Sequence, residues 1–277
     1  MRFDEGINEG NDISEIKEGE SKETDKIVRD RMDRLDKQDR LADVRYEKDD
    51  TGKIYKVDGE LIAEGEYTVN GHTYYTDDRG RIKACDAHPK YTEDGSRNLK
   101  DQKESGGEDR LEKDDGGHIV ARILNGPEGS ENLVAMRDTI NRGDYKKMEN
   151  EISDALQDNK EVTMHIELEY QDESRRPSKI KSEYQIEDKK TEVTFDNIPE
   201  SVELLETMPD LIEDEDLDAL KEEIDDMKAD GAEVSVTSVK VDYNENGEPS
   251  KVTVGIRDES VPEKTYKVYE ARKETEQ

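Results

Sequence analysis

The chain has 277 residues, of which 30% are hydrophobic and 43% charged, with no Trp and only two Phe. That is thin material for one core over the whole length, so parts of the chain are expected to stay solvated. The formal net charge of −32 excludes a surface that is basic throughout, the usual footprint of proteins that grip phosphate backbones. Total charge governs solubility and long-range repulsion, not the contents of one pocket. Chemistry on a phosphate backbone would therefore need positive groups gathered locally or a divalent ion, with weak substrate affinity and strong metal dependence as the expectation. The single cysteine, Cys85, rules out an intrachain disulfide. Met1-Arg2-Phe3-Asp4-Glu5 lacks the basic and apolar regions of a Sec-type signal. No stretch approaches the roughly 18 apolar residues of a membrane span. The expectation is no membrane partner, and a protein that is cytoplasmic or leaves by a route that reads another signal.

In chain order, residues 1 to about 22 are acidic and Gly-rich and read as disordered or as a linker. Residues 23 to 44 fit a helix with a narrow apolar face at Val28, Met32 and Leu35, either a solvated helix or a docking segment. From Ile54 the period becomes strand-like. Ile54–Val57 is a short strand, and Tyr67–Val69 and His72–Tyr75 flank Asn70-Gly71, a two-residue hairpin turn whose central positions need positive φ. Asp78-Arg79-Gly80 turns into Arg81–Cys85. Residues 89 to 117, polar and Gly-rich, read as a long loop, which inside a domain is often functional. Ile119–Leu124 is a short apolar segment. Asn141 suits a helix cap, with Asp144 at the third helical position and Tyr145, Met148, Ile152, Ala155 and Leu156 as the apolar stripe. Asp158-Asn159 ends that helix, and strands follow around Val162–Tyr170 and Ile180–Ile186.

The last third echoes the middle at a constant offset of 72. Glu131, Leu133, Met136, Asp138, Ile140, Asp144, Glu151, Ile152, Asp154, Asp158, Glu161 and Val162 meet identical residues from Glu203 to Val234. Tyr170 and Pro177-Ser178-Lys179 face Tyr243 and Pro249-Ser250-Lys251 near the same offset. Either the unit is duplicated, or two helix–hairpin units share one acidic alphabet.

Several residues could carry chemistry. Glu149 falls beside the apolar stripe of its helix, on the side of Asn141, Tyr145 and Ile152. A carboxylate losing hydration there needs a partner or a metal; the plain reading is an edge position paired with Lys146 or Arg142. His118 follows two glycines, and a histidine titrates near neutrality, which suits a general base; taken alone, a loop histidine is more often structural. Cys85 and His88, with His72 upstream, could suggest zinc, but four ligands with suitable spacing are not evident. His165 alternates within a strand and reads as structural.

Together these residues resemble a known family. Asp115-Gly116-Gly117-His118-Ile119-Val120-Ala121, then Glu131-Asn132-Leu133-Val134, then Asn141 through Glu151, are similar to the DNA/RNA non-specific endonucleases. The nearer likeness is to the bacterial branch found as toxin domains of polymorphic toxins. Asn70-Gly71 to Gly80-Arg81 and Ser174–Ser178 also fit that branch, so the likeness covers roughly residues 50 to 190. The resemblance implies an α+β fold with small antiparallel hairpins and a ββα-metal (His-Me finger) motif holding one Mg²⁺ (or Mn²⁺). It implies His118 as general base, Asn141 as metal ligand, Glu149 as a carboxylate that binds the metal through water or supports the site, Asn132 as a residue that helps hold the site, and Arg122 as a phosphate clamp. Better-known members have Asp-Arg-Gly-His. Gly116 stands where their arginine would be, so that contact is missing or comes from Arg122 or Arg137.

The expected organisation is an acidic, partly disordered or helical segment over 1–45, a nuclease domain over 46–195, and an acidic helix–hairpin accessory module over 196–277. In this last unit Leu204, Glu213 and Lys221 stand where Asn132, Asn141 and Glu149 would be. The expected function is metal-dependent hydrolysis of DNA and/or RNA without sequence preference, as the effector of a secreted bacterial toxin with a cognate immunity protein. The alternative is an inactive acidic interaction protein that mimics nucleic acid or binds a partner.

Overall fold

The computed structural model describes residues 44–93, 98–199, 201–261 and 263–272; the expectations for residues 1–43 lie outside them. Antiparallel sheets and few helices make the fold α+β, as expected.

The strands begin with a three-stranded side sheet, β1 (Tyr46–Lys48), β2 (Ile54–Val57) and β3 (Glu60–Leu61). The meander β4 (Glu66–Val69), β5 (His72–Thr76) and β6 (Ile82–Ala87) follows. Its first turn is the expected one: Asn70 and Gly71 sit at φ 55° and 78°, the mirror-image turn that matches strand twist. This meander is not a small sheet of its own. β6 pairs with β9 (Val162–Tyr170), Cys85 opposite Ile166, and the sheet continues through β10 (Pro177–Ile186), β11 (Lys189–Asp196), β12 (Val234–Tyr243), β13 (Pro249–Asp258) and β14 (Thr265–Glu270). The result is one nine-stranded antiparallel sheet, in order β14-β13-β12-β11-β10-β9-β6-β5-β4.

The segment read as a loop from 89 to 117 holds more structure than its composition suggests. It contains helix α1 (Leu99–Glu104) and the start of β7 (Asp114–His118), which pairs with β8 (Leu133–Arg137). Helix α1 buries no side chain, so it leaves no apolar periodicity to read. Its signature is capping: the Asn98 side chain accepts from the Asp101 backbone N–H at 3.2 Å.

The helix expected from Asn141 starts later, as α2 (Tyr145–Gln157). Ile140–Asp144 is a kinked turn with π-type hydrogen bonding, Gly143 lying outside helical backbone geometry at φ −106°, ψ −105°. Asn141 therefore caps nothing, and neither does the side chain of Asp144, the residue that precedes the helix.

Two cores hang on the one sheet. The first joins Tyr145, Met148 and Ile152 of α2 to Ile166, Ile180 and Phe195 on the strands, together with Ile119, Val120 and Leu124. The second joins Leu217, Leu220 and Ile224 of helix α3 (Asp214–Ala229) to Val236, Val239, Val252 and Val254. The offset of 72 persists in three dimensions. Val162 opposes Ile186 as Val234 opposes Asp258. Both helices end in the same Schellman motif: Lys160 N–H donates to Ala155 O and Asn159 N–H to Leu156 O, as Ala232 does to Met227 and Gly231 to Lys228. Asn159 and Gly231 supply the positive φ, 59° and 90°.

Candidate active site

Strand β7 places most of the site. Asp114, its first residue, turns inward and meets Arg176 at the entry to β10, with Nε–Oδ2 at 2.7 Å and Nη2–Oδ1 at 2.9 Å. Both partners are buried. Such a fork fixes geometry as well as charge, and it ties the site strand to the main sheet. His118, the last residue of β7, is half-buried opposite Leu133.

Asn132 holds the strand's exit from beneath. Its Oδ1 accepts from the Val120 N–H (2.9 Å) and the Tyr74 hydroxyl (3.0 Å), and its Nδ2 donates to Val120 O and Pro127 O, both at 2.8 Å. With these four bonds the amide is satisfied, and it is fully buried. Asn132 does not line the cleft that holds the other site residues.

The π-turn delivers Asn141 and Arg142 to the same carboxylate. Asp115 Oδ2 accepts from Asn141 Nδ2 (3.0 Å) and Arg142 Nε (2.8 Å), and Oδ1 accepts from Arg142 Nη2 (2.7 Å). Burial raises the Asp115 pKa, but the bonds from Arg142 and Asn141 outweigh it and hold the group below the ordinary carboxylate value. The Asn141 oxygen lies beside Gly117, 3.1 Å from where a Cβ on that glycine would stand. Glu149, two turns along, is 7% exposed. Burial pushes its carboxyl up to about 7, partly offset by Lys146, whose Nζ sits 3.2 Å away.

His118, Arg122, Asn141 and Glu149 all line one cleft of about 660 Å³, together with Asp115, Lys103, Arg110, Arg142 and Lys146. Five cationic side chains thus face two carboxylates, on a chain of net charge −32. The positive groups that phosphate chemistry requires are gathered locally. The half-buried Arg122 sits on the short 3₁₀ turn Arg122–Leu124.

The arginine missing at position 116 has a steric cause. A Cβ on Gly116 would stand 2.3 Å from the Gln102 carbonyl oxygen and 2.5 Å from its Cα, so the backbone of α1 occupies that space. Arg110 clamps α1 in place, donating to Gln102 O (2.9 Å), Ser105 Oγ (2.9 Å) and the Asp114 carbonyl. Arg137, one of the two substitutes considered, is buried against Ile198 O (3.0 Å) and Glu259 (3.3 Å) and does not line the cleft. Arg122 does.

Among the described residues no group of three or more His, Cys, Asp or Glu side chains converges on a metal position. His72 is engaged with Asn125 O and the His88 N–H, Cys85 is buried with its thiol pKa raised by desolvation, and His165 pairs with Asp86 at 2.6 Å. A hard cation that keeps its waters needs no such cage.

Residues 63–188 match the family model for DNA/RNA non-specific endonucleases. This span, less than half of the chain, carries the likeness to that family. The chain is also similar to the type VII secretion system protein EssD of Staphylococcus aureus, in strains USA300, NCTC 8325 / PS 47 and Newman. Each is 42% identical over 134 residues, 46% of this chain and 22% of the relative, so the chain spans about a fifth of the length of these curated relatives. The matched span contains every predicted site residue. It ends before β11, so the strands from β11 to β14 and helix α3 lie outside it.

Residue types alone did not single out Asp115, Arg142 or Arg176 as members of the site. Asp115 and Arg142 are sequence neighbours of Gly116 and Asn141, which was the available signal. Nothing local marks Arg176 as the partner of Asp114, 62 residues away.

Proposed function

We propose that this chain is a divalent-metal-dependent endonuclease that hydrolyses phosphodiester bonds of DNA and/or RNA without sequence preference. The observation that carries the reading is the convergence of His118, Asn141 and Glu149 in one locally cationic cleft.

The donor set fits a hard cation such as Mg²⁺ or Mn²⁺. Asn141 offers a neutral oxygen whose partner nitrogen is already committed to Asp115, and Glu149 can reach the ion through water. When bound, the ion would stabilise charge on the scissile phosphate and the leaving oxygen. His118 takes the proton of the attacking water as it adds to phosphorus and the ester bond opposite breaks. Arg122, Arg142, Lys103 and Lys146 bind the flanking phosphates, and because such contacts read no base edges, little sequence preference follows. Asn132 and the Asp114–Arg176 fork hold the strand that presents His118.

The resemblance to a type VII secretion system protein supports export through such a system, and the likeness of the motifs to the bacterial toxin branch adds a toxin role with a cognate inhibitor protein in the producing cell. No described helix is long and apolar enough to cross a membrane.

Supercoiled plasmid and RNA, incubated with Mg²⁺ or with chelator, test the reading. Cleavage with Mg²⁺ is expected to stop with chelator and to fall by about 10²–10⁴-fold in His118→Ala. Intact substrate in every lane overturns it in favour of an acidic protein that binds a partner without catalysis.

A further inference from the structure

The second helix–hairpin unit reaches into the site through Asp144. This residue ends the π-turn that carries Asn141 and Arg142, yet its side chain does not cap the helix that follows. Four side chains beyond the matched span hold its carboxylate instead. Oδ2 accepts from Ser238 Oγ (2.9 Å), Lys264 Nζ (3.0 Å) and Thr237 Oγ1 (3.1 Å), and Oδ1 accepts from the Tyr266 hydroxyl. The junction is tight. A Cβ on Gly143 would stand 3.1 Å from Lys264 Nζ, and one on Gly255 would stand 2.5 Å from Ser238 Oγ and 3.0 Å from Asp144 Oδ2. Lys147, on the first turn of α2, lies 3.7 Å from the centre of the Tyr266 ring.

The turn is therefore pinned at both ends. At one end Asn141 and Arg142 grip Asp115 on β7; at the other Asp144 is locked to β12, to Lys264 in the β13–β14 connection and to Tyr266 on β14. Gly143 breaks the helical geometry inside the turn, so the side-chain anchors on either side of it fix where the Asn141 oxygen sits. We propose that Lys264 and Tyr266 are positioning residues of the nuclease site, and that the second unit is a built-in brace for the metal-ligand turn rather than a separable appendage. This rests on the metal role of Asn141 in the proposed function.

The test uses the full chain and Mn²⁺ alone, followed by electron paramagnetic resonance, so that no turnover is needed. Outer partners of metal ligands typically contribute about 10–100-fold in affinity or activity. Lys264→Met is expected to weaken Mn²⁺ binding within that range, Lys264→Arg to restore part of it, and Asn141→Ala to abolish it. Tyr266→Phe removes one hydrogen bond while keeping the ring over Lys147, so it reports even if Lys264→Met fails to fold. Its expected loss is roughly 2–10-fold. In the cleavage assay the same variants should raise the Mg²⁺ concentration for half-maximal rate more than they lower the rate at saturation. Unchanged Mn²⁺ affinity in folded Lys264→Met and Tyr266→Phe overturns the inference, and so does a wild-type chain that binds no Mn²⁺. Mn²⁺ binding that weakens in the variants, in a wild-type protein that cleaves nothing, upholds the brace and overturns only the nuclease reading.

Discussion

The two helix–hairpin units of this chain put the same residues to different uses. Glu149 is buried on the cleft side of α2, whereas Lys221, its counterpart at the offset of 72, is exposed on α3. Asp144 is buried under four donors, whereas Asp216 is exposed in the first turn of α3. The helices share their C-terminal caps and their apolar stripes. They differ in what lies over their outer faces. In the first unit the β7–β8 hairpin and residues 119–124 cover the helix, and the Tyr145 hydroxyl donates to Ile119 O at 2.6 Å. The second unit has no such cover among the described residues. A site thus uses extra chain over a common scaffold, and burial is what raises the Glu149 carboxyl to about 7.

The largest expected break in this comparison comes from detaching that extra chain. Asp114→Ala leaves Arg176 buried without its partner, which should cost about 3–5 kcal/mol, read as the urea midpoint at unchanged slope. Loss of a second-unit ion pair such as Lys267–Glu223, which is part-exposed, should cost under about 1 kcal/mol.

Next is the pH dependence that burial gives Glu149. Its folded pKa is raised to about 7 from an ordinary 4.5. Between those values the folded state keeps a proton that the unfolded chain releases, so this group lowers stability as pH rises through that window. In chelator, Glu149→Gln should match the wild type near pH 4.5 and be more stable above pH 7, on the order of 1–3 kcal/mol.

Gly116→Ala should destabilise by roughly 1–3 kcal/mol, because a Cβ meets the backbone of α1. Gly116→Arg should restore no activity despite restoring the family's arginine. A faster Gly116→Arg enzyme would mean that α1 moves off the strand in the working state.

The smallest effect sharpens the comparison most. Glu213→Asn with Lys221→Glu, made in His118→Ala, recreates two site residues on exposed positions and should change stability by under about 0.5 kcal/mol. It should cleave no faster than His118→Ala alone, because no hairpin covers them. Metal-dependent cleavage above that level would show that the scaffold alone suffices.

Much of this was legible from residues. Asn70-Gly71 announced its hairpin because a mirror-image turn tolerates few residue types, and Tyr145, Met148 and Ile152 announced α2 because one face had to be dry. The order of His118, Asn132, Asn141 and Glu149 pointed to one site, and three of the four share the cleft. Helix α1 was not legible, because it buries no side chain and so carries no periodic pattern. Strand β8 was hidden for a different reason. Leu133 and Met136 have identical counterparts in Leu205 and Met208, yet one segment is a strand and the other contains the 3₁₀ turn Glu203–Thr207.

The sequence by itself determined which residues must be buried, where turns of positive φ fall, and which side chains could accept a proton or hold a cation, since these depend on side-chain chemistry and local backbone sterics. Only the tertiary structure decided that Leu133–Arg137 finds β7 and becomes a strand, that α1 fills the space beside Gly116, and that Arg176 meets Asp114 and Lys264 meets Asp144 from 62 and 120 residues away in sequence. Those outcomes depend on which surfaces meet. A backbone pair or a buried carboxylate is satisfied by whatever donor the fold brings to it, and no local pattern names that donor in advance.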